Sequence, residues 1–331
     1  MLMPLHQVLE RVDGRLLSPE NDVRIWPTGF PLLDDALGGG LRAGTLDLLA
    51  GAQGEGKTTF ALQVARCCAR TGRPVLFFSY ELEAEVLLQK VISSEAAELG
   101  VAGSVSVYQV RATFEGTDGA EGGLPERLAR HPGGLDALER VAGYAPRMTI
   151  HRSTTTHTTL DVIATAVKDV VAEHGEPPLV VVDYLQKVRP RQESEEMEEE
   201  AAITHVTERL KDIAIEFDCP VLAISASDRA GLEPGHRMRA RNMKGSTALA
   251  YEADVVLVLA NKADIVARHH LMYSGDNGEH FKGWSVLTIE KNRSGRTGAE
   301  IEFRKDFSRG RFVPDGSVVA EKLVDERVFT E

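Results

Sequence analysis

Residues 51–58 read Gly-Ala-Gln-Gly-Glu-Gly-Lys-Thr, the G-x-x-x-x-G-K-[ST] spacing of a phosphate-cradling loop. The chemistry needs small residues at Gly51, Gly54 and Gly56, because backbone N–H groups must curl around a polyphosphate without side-chain clash. Lys57 is placed to reach the β- and γ-phosphates, and the Thr58 hydroxyl to ligate Mg²⁺. Thr59 follows at the start of a helix whose N-terminal partial charge favours the same anion. The flanks agree: an apolar run, Leu46–Ala50, precedes the loop and a helix-like stretch, Thr59–Arg70, follows it. The expected ligand is a nucleoside triphosphate with its magnesium ion.

Other polar residues interrupt apolar runs where a ligand on a parallel sheet would sit, at carboxyl ends of strands. Leu179–Val182 ends in Asp183, a carboxylate for Mg²⁺, direct or through water. Val75–Tyr80 ends in Glu81, suited to polarising an attacking water. The competing reading for each is a plain strand-end acid that caps the helix that follows it.

The elements that must position these groups form an α/β pattern. Apolar strands at 46–49, 75–78, 148–151, 179–182, 221–225 and 255–259 alternate with amphipathic helices, which predicts a mostly parallel sheet. Helical faces are clear at Leu160/Ile163/Val167/Val170 and at Ile203/Val206/Leu210/Ile213/Phe217. Near the end, 285–290, 299–303 and 310–313 read as antiparallel strands joined by glycine turns. Leu5, Val8, Leu9, Val12 and Leu16 describe one amphipathic helix over 4–17, followed by a linker. Residues 100–143 are rich in Gly and Glu with weak periodicity, and read as a loop-and-helix insertion.

Composition narrows the classes. An apolar fraction of 43% with 27% charged residues describes a water-soluble globular chain. No run approaches the roughly 20 apolar residues of a membrane span, and the N-terminal stretch has no secretory pattern, so a cytoplasmic protein is expected. Three cysteines, two of them adjacent, give neither a disulfide framework nor a metal spacing. A net charge of −12 argues against a histone-like coat on duplex DNA but leaves room for local basic loops. Much of that excess lies in 193–200, read as a solvated loop and an acidic helix start.

Blocks along the chain resemble the C-terminal motor domain of the DnaB-type replicative helicases, a branch of the RecA-like ATPases. They are Pro27-Thr28-Gly29-Phe30-Pro31-Leu32-Leu33-Asp34, the phosphate loop, Phe78-Ser79-Tyr80-Glu81-Leu82 and Val182-Asp183-Tyr184-Leu185-Gln186. A fifth is 290–298, Glu-Lys-Asn-Arg-Ser-Gly-Arg-Thr-Gly, and Gly245-Ser246 with Tyr251-Glu252-Ala253-Asp254 is a looser sixth. The resemblance implies a RecA-like core over 25–315, a linker-type helix in 1–24 and a tail from 316 to 331. It implies Glu81 as catalytic glutamate, Asp183 as Walker B aspartate, and ATP with Mg²⁺ as ligands. Lys291 and Arg293 would be the piston lysine and arginine finger that reach a neighbour's nucleotide, which requires an oligomer, in this family a six-membered ring. A guanidinium supplied in trans is worth roughly 10³–10⁵ in rate.

The basic stretch Arg229, Arg237, Arg239, Arg241 and Lys244 corresponds to a loop that faces the central channel in RecA-like rings, suited to tracking single-stranded DNA phosphates. Lys187–Arg191 offers a second, weaker contact. The sequence also departs from the family. Its N-terminal primase-interacting domain is not matched, leaving only the helix at 4–17 to dock on the next subunit. The γ-phosphate-sensing glutamine usual after the strand at 221–225 is replaced by Ala226, so Ser225 or Ser227 must substitute or the sensing is lost. The implied activity is an ATP-dependent DNA helicase or single-strand translocase, with a replication or repair protein as a further partner. The alternative is an ATPase that switches a protein partner with little unwinding.

Overall fold

The computed structural model describes residues 3–17, 24–190, 198–228, 236–273 and 278–325, apart from the side chains at 15, 246–248 and 273. Twelve strands occur in these segments. The first pair, β1 (Ile25–Trp26) and β2 (Leu41–Arg42), forms a small antiparallel ribbon. The central sheet holds β3 (Leu46–Gly51), β4 (Val75–Ser79), β5 (Met148–Arg152), β6 (Leu179–Asp183), β7 (Val221–Ser225) and β8 (Val255–Asn261). To these it adds β9 (Trp284–Asn292), β10 (Glu300–Asp306), β11 (Arg311–Phe312) and β12 (Ser317–Val318). Their order is β11-β10-β9-β8-β3-β7-β6-β4-β5, with β12 also on β10. The six from β8 to β5 are parallel; β9, β10 and β11 run antiparallel.

The helices are α1 (Leu5–Leu17), α2 (Pro31–Leu37), α3 (Lys57–Arg70), α4 (Ala84–Glu98), α5 (Val107–Phe114) and α6 (Leu124–Leu128). They continue as α7 (Gly134–Tyr144), α8 (Leu160–His174), α9 (Glu199–Glu216), α10 (Ser246–Glu252), α11 (Lys262–Ile265) and α12 (Arg268–Tyr273). Because successive strand residues face opposite sides, helices must cover both faces of the parallel strands. Leu49, Phe77, Val181 and Ile224 pack with α2, α3, α4 and α7. Leu48, Phe78, Val182 and Ala223 pack with α8, α9 and α10.

The stretch 100–143 is more ordered than its composition suggests. A Ser106–Gln109 capping box starts α5, and Val105, Val110, Leu128, Ala137 and Val141 are buried in the same core as α3 and α4. Buried ionic groups join this layer: Arg66 of α3 reaches Glu95 of α4 at 2.7 Å and also pairs with Glu98. Helix α1 forms where its apolar spacing places it, yet Leu5, Leu9, Leu16 and Leu17 are exposed on this chain. Among the described residues no helix is long and apolar enough to cross a membrane. Much of the acidic run, residues 193–197, lies outside the described segments, while Glu199 and Glu200 occupy the first turn of α9.

Candidate functional site

The phosphate loop leaves β3 at Gly51 and enters α3 at Lys57. Gly56 has φ 91°, and a Cβ there would lie 2.7 Å from the Phe307 ring, so both backbone and packing require glycine. Lys57 folds over its own loop, its Nζ donating to the Gly51 and Ala52 carbonyls at 2.8 Å each. Burial lowers its pKa, against the pull of Asp183, Glu81 and Glu55. Arrival of phosphate oxygens would offer this ammonium better acceptors than two backbone carbonyls.

Strands β4 and β6 bring the two acids together. Ser79 lies opposite Asp183 in the sheet, and the Tyr80 N–H donates to the Asp183 carbonyl at 2.8 Å. The Asp183–Tyr184 peptide bond is cis. The Thr58 hydroxyl donates to Asp183 Oδ2 at 2.7 Å, which pairs two hard oxygen donors of the kind Mg²⁺ selects. Burial raises the Asp183 pKa to about 6, with the Thr58 hydrogen bond opposing and the charge of Glu81 adding. A buried carboxylate of that kind gains from a cation beside it. Glu81 is exposed at the cavity mouth.

The cavity has a volume of about 640 Å³ and is lined by Gly51, Gly54, Gly56, Lys57, Thr58, Thr59, Glu81 and Asp183. It also receives Lys90, Arg111 and Phe307, which the sequence reading did not select. Val86 and Lys90 stand one turn apart on the cavity side of α4, and Arg111 comes from α5. Burial lowers the pKa of Lys90 and the charge of Arg111 lowers it further. Among the described residues neither cation has a carboxylate partner. This leaves positive charge without a carboxylate partner in the cavity that the phosphate loop lines. Ala226 and Ser227 line the same cavity.

Lys291 and Arg293 lie at the other end of the sheet. The Arg293 N–H donates to the Asp254 carbonyl at 2.9 Å, and the Asp254 N–H donates to that of Leu46, the first residue of β3. The phosphate loop begins at the far end of β3, about 17 Å away at the ordinary strand rise. Arg293 is half exposed, with Nη1 3.3 Å from Asp254 and Nη2 donating to the Tyr251 carbonyl at 2.6 Å. Lys291 Nζ donates to the Ala250 and Tyr251 carbonyls at 2.7 and 3.0 Å.

The match to known proteins follows this geometry. The DnaB-like helicase C-terminal domain family matches residues 26–105 and 133–312. The chain belongs to that family. A replicative DNA helicase DnaB of Pasteurella multocida is 27% identical over 313 residues, covering 92% of this chain and 59% of the relative. A probable replicative DNA helicase of Trieres chinensis is 25% identical over 285 residues, covering 83% and 54%. The chain thus spans little more than half the length of these relatives. Among solved structures, the ATPase domain of G40P superposes with a TM-score of 0.74 at 20% identity, covering 95% of this chain and 99% of that one. A DnaB-like replicative helicase, solved in a study of its interactions with primase, gives 0.71 at 20% identity, over 95% and 67%. The RecA-like core expected from the sequence is the core observed.

In this DnaB-like domain the cations of the basic stretch do not share one surface. Arg229 lies outside the described residues. Arg237 is buried, with Nη2 donating to Thr288 at 2.7 Å and to Glu300 at 2.5 Å. Arg239 pairs with Glu290 at 2.7 Å and with Asp325. Lys244 pairs with Glu199 at the surface, and Arg241 is exposed. Two of the four described cations are therefore structural anchors on this chain, and Arg241 and Lys244 remain at the surface.

Proposed function

We propose that this chain is the motor domain of a DnaB-like helicase that binds ATP with Mg²⁺, hydrolyses it, and moves along single-stranded DNA as a ring, with six subunits as in the family it resembles. Thr58 and Asp183 would hold the metal, which neutralises developing phosphoryl charge. Lys57 binds the β- and γ-phosphates, Lys90 of α4 and Arg111 of α5 add positive charge to the same cavity, and Glu81 orients and deprotonates the attacking water.

The observation that carries the ring is the placement of Arg293. A strand's length separates it from its own phosphate loop, farther than an arginine side chain spans, so a finger at this position serves a neighbouring site. The names of its relatives, replicative DNA helicases, support single-stranded DNA as the track and a replication protein as a further partner. The ion pairs of Arg237 and Arg239 favour a second reading, a nucleotide-driven switch on a protein partner, because they remove two cations from any DNA groove.

The test mixes Lys57→Ala chains with Arg293→Ala chains. Each alone is expected to be nearly inactive, and a 1:1 mixture should regain activity because about a quarter of the interfaces join an intact loop to an intact finger. No recovery, together with a monomeric mass by light scattering, refutes the ring. Oligo-deoxythymidine that neither binds at low salt nor stimulates hydrolysis shifts the reading to the switch.

A further inference from the structure

After β6 the chain makes one 3-10 turn, Leu185–Lys187, fixed by the fully buried Leu185 and by the Lys187 N–H donating to the Tyr184 carbonyl at 3.1 Å. From this turn Gln186 reaches the end of β7. Its Oε1 accepts the Ala226 N–H at 3.1 Å, while its Nε2 donates to Ser225 Oγ at 3.0 Å and to the Lys244 carbonyl at 3.3 Å. These partners fix the amide's orientation, since a backbone N–H only donates and a carbonyl only accepts.

The loop that departs from β7 is closed by the same contacts. The Lys244 N–H donates to the Ala226 carbonyl at 3.0 Å, the Asp228 N–H to that of Asn242 at 2.7 Å, and Ser227 bridges to Met243. Residues 225–228 and 242–244 thus form a short antiparallel ladder, and one carboxamide clasps both arms at its base. Three residues upstream, Asp183 holds the Thr58 hydroxyl in the cavity. At position 226 the side chain lining the cavity is only a methyl, which cannot hydrogen-bond a phosphate. The short polar connection between the metal-binding end of β6 and the arms of the loop is the Gln186 side chain.

We propose that Gln186 is a positioning residue that makes the loop carrying Arg241 and Lys244 sense the occupancy of the nucleotide site. A change at Asp183 and Thr58 tilts the turn, and the carboxamide passes that movement to both arms together. The proposal rests on the reading of this loop as a single-stranded DNA contact. Gln186 does not line the cavity, so its role is in coupling and not in chemistry.

Gln186→Glu tests it. Glutamate keeps the size and the acceptor for the Ala226 N–H, but it cannot donate to Ser225 or Lys244 and places a negative charge against a carbonyl oxygen. Gln186→Met, which removes the polar contacts without adding a charge, serves if the first variant fails to fold. Labelled oligo-deoxythymidine is titrated in the presence of Mg²⁺ with a non-hydrolysable ATP analogue and with ADP, and hydrolysis is measured with and without the oligonucleotide. The wild type should bind DNA differently in the two nucleotide states. Both variants should lower that affinity ratio by about fivefold or more, with DNA-free hydrolysis within about twofold of wild type. A merely structural glutamine would weaken DNA binding equally in both states, and an unchanged ratio overturns the inference while leaving the DNA reading intact. A wild-type protein whose DNA binding is blind to nucleotide overturns the inference alone, whereas one that binds no oligonucleotide in either state refutes the DNA reading, and the inference falls with it.

Discussion

Arg66→Met should destabilise the fold by about 3 kcal/mol at neutral pH. Arg66 of α3 is buried, and the Glu95 carboxylate 2.7 Å away on α4 has no exposure at all. Methionine fills a similar volume, so the loss is mainly electrostatic: a buried carboxylate left without its main cation costs about 3–5 kcal/mol. The low end applies because the Tyr144 hydroxyl still donates to Glu95 at 3.0 Å, and Arg140 and Arg70 stand at 3.7 and 3.9 Å. Glu98 adds a pH dependence. Burial would raise its pKa, but hydrogen bonds and charges from Arg66 and Arg70 outweigh this and hold it at about 2, below the ordinary 4.5. A depressed carboxyl contributes stability that is complete above about pH 5 and disappears as pH falls through about 2. The gap between wild type and variant should therefore narrow on acidification through that window. Urea unfolding at pH 7 and pH 4 measures it, with Arg66→Met/Glu95→Gln as the companion. Removing both charges should recover half of the loss or more. A single-variant cost below about 1 kcal/mol, or a double variant no more stable than the single, refutes the reasoning.

Glu81→Gln should leave nucleotide affinity within about threefold while hydrolysis falls by about 10²–10⁴, because the carboxylate acts on water and not on the bound phosphates; equal loss of binding by calorimetry removes it from that role. Arg111→Ala and Lys90→Ala should each weaken triphosphate binding by about 3- to 10-fold, and calorimetry showing no change in either takes that pair out of the site. Ala226→Gln should increase stimulation of hydrolysis by single-stranded DNA, since an amide there gains a bond that changes when the γ-phosphate leaves. Steady-state rates with and without oligonucleotide decide it, and unchanged stimulation shows that position 226 is not where sensing is lost.

The chemistry legible in the sequence was local. Gly51, Gly54, Gly56, Lys57 and Thr58 declare themselves within eight residues, and Asp183 and Glu81 follow short, continuous apolar runs of strand length. What the sequence hid comes from long-range pairing. Lys90 and Arg111 sit at ordinary-looking helix positions, and only the packing of α4 and α5 turns them toward the cavity. Arg237 and Arg239 look like members of a basic loop because their partners Glu300, Glu290 and Asp325 lie 51 to 86 residues further along. Gly and Glu residues masked the insertion's core, where Val105, Val110, Leu128 and Val141 are spaced too irregularly to show one period.

The contacts of Lys291 and Arg293 bear on how a ring of such chains could signal. Both side chains grip carbonyls at the C-terminal end of α10, and Arg293 also holds Asp254. Reaching a neighbour's nucleotide means exchanging these home contacts for phosphate oxygens. With Arg293 half exposed, the Asp254 pair is worth at most about 1 kcal/mol, so it aims the guanidinium without locking it. A phosphate in a water-poor interface is the stronger partner. Helix α10 begins at Ser246, directly after Lys244 and Gly245 of the loop clasped by Gln186. The resting contacts of the proposed finger and the candidate DNA loop are thus opposite ends of one seven-residue helix. A shift of that loop would move Ala250 and Tyr251 with it, changing the hold on Lys291 and Arg293 in the same step.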